Sequence, residues 1–264
     1  MKCRRTYAIL GSLAAAVCGL ASLAGCAGLS AGGSTHVVDA TEITGALTAD
    51  SEQQLVMTYV GVACEVSSRG EATDSGPGIS VRILVTTRGK ACKPPGTIQT
   101  AVAQLSTPWS NRVVLDQVGD QVQVIDGALL QRPSWLPAAY VTMAGTKAVV
   151  ALDGKARAYQ AWGPPLQTAT SPARVVSCQP TSMGVTISQG YGIHVVGTLV
   201  PGSHSLTDGT PVTVTTDRIG LLALYWTPLH RPTGWTVSLQ AAPRCVGETK
   251  LSLNTLLRIA SGLH

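Results

Sequence analysis

Apolar residues in this chain come in short alternating runs separated by turn-forming residues, a pattern that restricts it to a strand-based fold. Leu55-Val56-Met57-Thr58-Tyr59-Val60, Val81-Arg82-Ile83-Leu84-Val85-Thr86 and Val122-Gln123-Val124 alternate with a period of two and are rich in β-branched side chains, as half-buried strands are. Asp74-Ser75-Gly76-Pro77-Gly78 breaks the chain between two of these runs, and Asp126-Gly127 marks a tight turn. Residues 37–132 therefore read as a small antiparallel β domain. The prolines of Arg132-Pro133-Ser134-Trp135-Leu136-Pro137 interrupt any sheet ladder, which places a domain boundary there.

Strand signals resume in residues 133–264. Lys147 to Leu152, Asp153-Gly154 and Lys155 to Trp162 form the clearest hairpin, because Asp-Gly suits a type I′ turn. Further strands are expected at Arg174 to Gln179, Gly184 to Ser188, Ile193 to Val200, Pro211 to Thr216, Leu221 to Trp226 and Trp235 to Leu239. At the end, Ser252 can cap a helix over Leu253 to Ser261. Its apolar positions Leu253, Leu256, Leu257 and Ala260 recur at helical spacing, and Gly262 stops it. The expected fold class is mainly β, an antiparallel sandwich or curved sheets with a short C-terminal helix, with an α+β arrangement open for the second half. One continuous sandwich is the alternative to two domains.

The start of the chain carries a second constraint. Lys2, Arg4 and Arg5 precede an apolar stretch from Ala8 to Leu23, which closes on Leu23-Ala24-Gly25-Cys26. This arrangement resembles a bacterial lipoprotein signal. The resemblance implies that residues 1–25 are removed as a signal peptide, that the Cys26 sulfur takes a diacylglyceryl group, and that the protein is held on the extracytoplasmic face of the cell membrane. The membrane is thus one implied partner, reached through palmitate-type lipid. Gly11, Ser12, Gly19 and Ser22 interrupt the apolar stretch, which falls short of the ~20 apolar residues of a spanning helix. General secretion is expected, with the twin-arginine route open because of Arg4-Arg5. Residues 26–36, rich in Gly, Ser and Ala, read as a flexible tether.

Removing that segment changes the charge. Three of the nineteen basic residues lie in it, which leaves sixteen against fourteen acidic ones. No clustered basic face with aromatic platforms remains, so nucleic acid is excluded as an expected partner. The cysteines become even in number: Cys3 and Cys18 leave, lipid consumes Cys26, and Cys64, Cys92, Cys178 and Cys245 remain. In an exported chain these are disulfide candidates. Three pairings are possible, and Cys64 with Cys92 and Cys178 with Cys245 keeps each bridge inside one proposed domain. Their wide separation does not suit a zinc site.

Gly-x-Ser-x-Gly occurs at Gly28-Leu29-Ser30-Ala31-Gly32, inside the tether and not as an elbow between a strand and a helix, and no Ser-x-x-Lys, His-Glu-x-x-His or phosphate loop occurs. The nearest approach to a nucleophile, base and carboxylate is Ser203-His204-Ser205 with Asp208, which reads more simply as a polar loop between strands. His36, His194, His230 and His264 have no metal-ligand spacing, and neither a metal nor another cofactor is expected. Asp116 and Asp120 flank a turn at Gly119. Among five tryptophans, Trp109, Trp135 and Trp162 stand beside Pro, Ser or Gly in loop-like contexts, which makes them the candidates for a binding surface.

Two further resemblances concern modules. Thr58-Tyr59-Val60-Gly61-Val62-Ala63-Cys64-Glu65, Arg88-Gly89-Lys90-Ala91-Cys92 and Asn111-Arg112-Val113-Val114-Leu115-Asp116 resemble a module of uncharacterised secreted actinobacterial proteins, which implies a β fold with Cys64 and Cys92 bridged. Gly234-Trp235-Thr236-Val237-Ser238-Leu239 and the final Leu-Leu-Arg-Ile-Ala-Ser-Gly-Leu helix resemble the end of lipoprotein-carrier-like domains, which implies an apolar ligand cavity. The expected role is a non-catalytic module binding an unknown protein or envelope ligand. A carrier or sensor of an apolar ligand and a cell-envelope hydrolase are the alternatives.

Overall fold

A computed structural model describes residues 35–40, 42–49, 52–74, 76–89, 97–138, 140–150, 154–163, 184–241 and 251–264. Cys26, Cys92, Cys178, Cys245, the signal segment and the expected strand at Arg174 to Gln179 lie outside these residues. Residues 34–264 form one compact unit.

The strands of its first part are β1 (Thr35–Asp39), β2 (Ile43–Thr48), β3 (Gln54–Val60), β4 (Glu65–Asp74), β5 (Gly78–Arg88), β6 (Ile98–Gln104), β7 (Val113–Leu115), β8 (Gln121–Val122) and β9 (Val124–Ile125). The second part contains β10 (Val141–Val150), β11 (Ala156–Gly163), β12 (Val185–Tyr191), β13 (Thr198–Leu199), β14 (His204–Ser205), β15 (Pro211–Thr216), β16 (Leu222–Trp226), β17 (Trp235–Ala241) and the helix α1 (Leu253–Ser261). The protein is thus mainly β with one short helix near its end, and among the described residues only a 3₁₀ turn at Gly127–Leu129 adds to the helical content. No helix among the described residues is long and apolar enough to cross a membrane.

Three sheets result. A five-stranded sheet runs β1-β5-β7-β8, with β4 on the other side of β5. A four-stranded sheet runs β6-β3-β2-β9, and an eight-stranded sheet runs β10-β11-β12-β17-β16-β15-β13, with β14 also paired to β15. The first part is not purely antiparallel: β5 pairs β7 and β2 pairs β9 in parallel. Neither parallel pair joins neighbours in sequence, so local alternation carries no sign of them.

In β5 the residues Ile79, Val81, Ile83 and Val85 alternate inward and face Leu55, Met57 and Tyr59 of β3 and Ala101 and Ala103 of β6, giving a sandwich core. Gly70 of β4 lets the two sheets approach, since a Cβ there would stand 2.5 Å from Met57 Cε and 2.8 Å from Ala103 N. A second core lies against the eight-stranded sheet, where Val185, Ile187, Leu224, Trp226, Val237 and Leu239 meet Leu256, Ile259 and Ala260 of α1.

The four-stranded sheet stands between the cores. Successive strand residues point to opposite faces, so Ala46 belongs to the first core while Leu47 belongs to the second. Val124 and Ile125 divide in the same way, and Leu130 also joins the second core. Contacts to β10 strengthen this wall. Ala148 N donates to Thr58 Oγ1 at 3.2 Å, and Lys147 Nζ donates to the Ile98 carbonyl at 2.6 Å. Burial holds the Lys147 ammonium below its usual range.

Local signals explain the elements. Val150 pairs with Ala156 across the turn containing Gly154, whose φ is +73°. Ser252 Oγ accepts from Thr255 N, capping α1 at the expected residue. Thr35 and His36, expected in the tether, instead pair with Arg88 and Thr87 at the edge of β5. The strand expected at Ile193 to Val200 shrinks to Thr198–Leu199, because Gly192 and Gly197 take positive φ on either side of the intervening stretch.

Candidate functional site

One of the described residues with a buried, unpartnered polar atom lies where β3 passes into β4. Tyr59, fully buried at the end of β3, donates its hydroxyl to Glu65 Oε1 at the start of β4. The turn Val60-Gly61-Val62-Ala63-Cys64 brings the two together, held by Gly61 N to the Thr97 carbonyl at 3.0 Å and Glu65 N to the Val62 carbonyl at 3.1 Å. Burial pushes the Tyr59 phenol up to about 12, and the Glu65 carboxylate adds to the shift; the Ser68 hydroxyl opposes it. The phenol therefore stays neutral and gives its single proton to the carboxylate.

Glu65 Oε2 has no hydrogen-bond partner although the atom is buried. The residue Glu65 lines a cleft of about 490 Å³ together with Val62, Ala63, Val66, Ser67, Ser68, Thr97 and Gln99. Gly61 allows Glu65 and Gln99 to pack closely on the turn: a Cβ at that position would stand 2.7 Å from Glu65 Oε2 and 2.8 Å from Gln99 Cγ. The residues lining the cleft carry a carboxylate, hydroxyls, an amide and two valine side chains. Among the described lining residues none is basic.

Cys64, between the turn and Glu65, is disulfide-bonded, and its carbonyl accepts from Arg88 N at 2.9 Å. That bond sets Cys64 beside the end of β5, four residues before Cys92.

The tryptophans singled out by their flanking residues stand elsewhere. Trp109 is 8% exposed and packs in the first core; its Nε1 donates to the Arg112 carbonyl, and Arg112 in turn donates to the carbonyls of Thr107, Pro108 and Trp109. Trp162 lies on β11 and packs in the second core at 9% exposure. Trp135 is half-buried, with the Arg258 guanidinium carbon 3.9 Å from its ring centroid. The structure does not gather the three into one groove.

The serine, histidine and aspartate of the 203–208 loop are also not joined. His204 pairs with Val212 through the β14–β15 ladder and its Nε2 is buried without a partner. Asp208 Oδ1 accepts from Thr210 N at 2.9 Å, and this turn bond holds its carboxyl below the usual range. Asp116 Oδ1 also makes turn bonds, accepting from Val118 N and Asp120 N before β8. No group of three His, Cys, Asp or Glu side chains suited to a metal occurs among the described residues.

Sequence reasoning overlooked Glu65 because a lone glutamate carries no motif. The one available sign was its position six residues after a buried-strand tyrosine, across a glycine. Compared with known proteins, the chain matches no family model, no curated protein and no solved structure.

Proposed function

We propose that this chain is a lipid-anchored extracytoplasmic binding module, tethered through Cys26, that recognises a protein or envelope ligand at the cleft beside Glu65. The observation that carries the reading is the polar-lined cleft of about 490 Å³ after the β3–β4 turn, to which Glu65 contributes and behind which its Oε2 is buried without a partner. A buried polar atom without a partner is costly. Two features support the compartment. Leu23-Ala24-Gly25-Cys26 has the form of a lipoprotein signal, and the disulfide at Cys64 suits an oxidising environment. Cys92 is the partner we assign to Cys64, since only four residues separate it from the Arg88 bonded to Cys64.

The apolar-carrier alternative is weaker. Leu256, Ile259 and Ala260 are buried where α1 meets the eight-stranded sheet, which is where a ligand would have to sit.

Native mass spectrometry of the protein purified from its own membrane tests the reading. A co-purifying protein or polar envelope component supports it, and a bound apolar lipid inside the folded unit overturns it. Cys26→Ser is expected to release the folded protein from the membrane fraction, and retention would refute the anchor.

A further inference from the structure

We infer that the outer face of the five-stranded sheet docks on the anionic lipid surface in which the anchor sits, so that the protein stands on its membrane through Arg69, Arg82 and Arg88. The inference rests on the lipid-anchor reading and adds to it the face that meets the bilayer.

The fold shortens the tether. Thr35 and His36 are drawn into β1 by pairing with Arg88 and Thr87, so residues 27–34 alone lie between Cys26 and the first strand. Fully extended, that stretch spans about 30 Å, and as a Gly- and Ser-rich coil its mean reach is about 17 Å. A compact unit of this chain's length is about 45 Å across. The lipid therefore holds the side that carries β1 toward the bilayer. The first core and the four-stranded sheet stand between that side and α1.

The chemistry of the face suits phosphate. Along β5 the residues turned into the first core alternate with Arg82 and Arg88, which point outward. Residues paired directly across a sheet share a face, which brings Val37 and Asp39 of β1 and Arg69 and Glu71 of β4 onto the same side. The side chains of Arg69 and Arg82 are 72% and 53% exposed, and both bond to Glu71, at 2.9 and 2.5 Å. Two guanidiniums thus cover one carboxylate, and Arg88 is exposed beyond them. Three arginines stand against Glu71 and Asp39, which leaves the face positive. Guanidinium forks match phosphate oxygens, and the headgroup layer accepts an apolar side chain such as Val37, 65% exposed.

So small an excess of charge does not hold a free protein on a membrane, and it does not have to. The lipid supplies the attachment and keeps the face at high local concentration beside the headgroups. A preference on the order of tenfold for one orientation, which one or two basic groups near an anionic surface supply, is then enough.

The test places the ¹⁵N-labelled lipidated chain, purified from membranes, in nanodiscs containing phosphatidylglycerol and a gadolinium-bearing lipid, and reads the loss of amide signals by NMR. Stronger loss at Val37, Arg69 and Arg82 than at Leu256 and Ile259 of α1 is expected. Arg69→Gln combined with Arg88→Gln changes only exposed side chains, and should shrink that difference about twofold or more, as should nanodiscs of phosphatidylcholine alone. Equal loss across the unit, greater loss in α1, or a difference that the double variant leaves unchanged overturns the inference. A chain recovered without lipid on Cys26 overturns the anchor reading and the inference with it, whereas a lipidated chain without the difference overturns the docking face alone.

Discussion

The two faces of the four-stranded sheet support cores of different character. On one face, β3 and β6 meet the five-stranded sheet through alternating strand residues such as Leu55, Met57, Ile79 and Val81. On the other, Leu47 and Ile125 enter a core closed by a helix and containing Trp226 and Trp235. The first core is strand on strand, and its rim carries the cleft lined in part by Glu65. The second is sheet on helix, and a buried amide network crosses it. Gln189, fully buried, donates to the Gln131 carbonyl at 2.6 Å and to Gln160 Oε1 at 3.0 Å, and accepts from Gln131 N at 2.8 Å. Buried polar atoms without partners occur on both sides, Glu65 Oε2 beside the first core and Gln131 Oε1, His204 Nε2 and Trp235 Nε1 in the second part, so the contrast lies in the Gln189 network, which stiffens the second core.

The comparison predicts that both cores unfold together, because one sheet serves both. Trp235, 1% exposed and set edge-on to Tyr191 with ring centroids 5.4 Å apart, is the largest fully buried side chain of the second core. Trp235→Ala should cost about 3–5 kcal/mol and lower a single thermal transition, followed by circular dichroism. Two transitions, only one of them moved, would break the idea of a shared wall. Leu47→Ala removes a side chain that reaches the second core from a strand of the first part. It should cost about 2–5 kcal/mol, read as a lower denaturation midpoint with unchanged slope.

Gln189→Ala tests the rigidity side of the comparison. It leaves Gln131 N and the Gln131 carbonyl without their partner, and about 1–3 kcal/mol should be lost. Hydrogen exchange should quicken at Gln131 before it changes in β3. Ser252→Ala removes only the cap of α1, and a loss of about 1 kcal/mol is expected from chemical denaturation.

The smallest effect at neutral pH belongs to the site. The Tyr59 phenol is raised to about 12 in the folded protein, against an ordinary value near 10 when unfolded. The stability it contributes is therefore complete below about pH 10 and is lost as pH rises from there towards 12. Tyr59→Phe should flatten that alkaline decline in a pH series of thermal melts. An unchanged decline would disconnect Tyr59 from it.

Legibility in the sequence followed the range of each interaction. The helix Leu253–Ser261, its Ser252 cap and its Gly262 stop depend on contacts within four residues, and were readable to the residue. Strands β3, β5, β15 and β17 were readable because apolar and polar residues alternate along them, and β16 because it is a short continuous apolar run. In contrast, β4 reads Glu-Val-Ser-Ser-Arg-Gly-Glu-Ala-Thr-Asp, with no fully buried side chain to reveal it; pairing with β5 over its whole length makes it a strand. The shared wall was invisible for the same reason, since the partners of Ala46 and Leu47 are distant in sequence. At the site, Pro and Ser beside Trp109 indicated a loop correctly, but a loop folded over by Arg112 can still bury its tryptophan. Glu65 became visible only when Tyr59 and Gly61 were seen beside it.

The backbone bonds between the segment after the 3₁₀ turn and the end of the chain have a further consequence. Arg132 and His264 exchange N–H and carbonyl bonds, Pro133 bridges to Leu263, and Ser134 N donates to the Gly262 carbonyl. A chain synthesised N-terminus first presents every strand of the first core once residue 125 has emerged. Its second core stays open on one side until residues 253–263 follow. Throughout that interval the growing chain exposes the apolar face that α1 will cover, so the arrival of α1 sets how long the nascent protein stays vulnerable to aggregation and proteolysis.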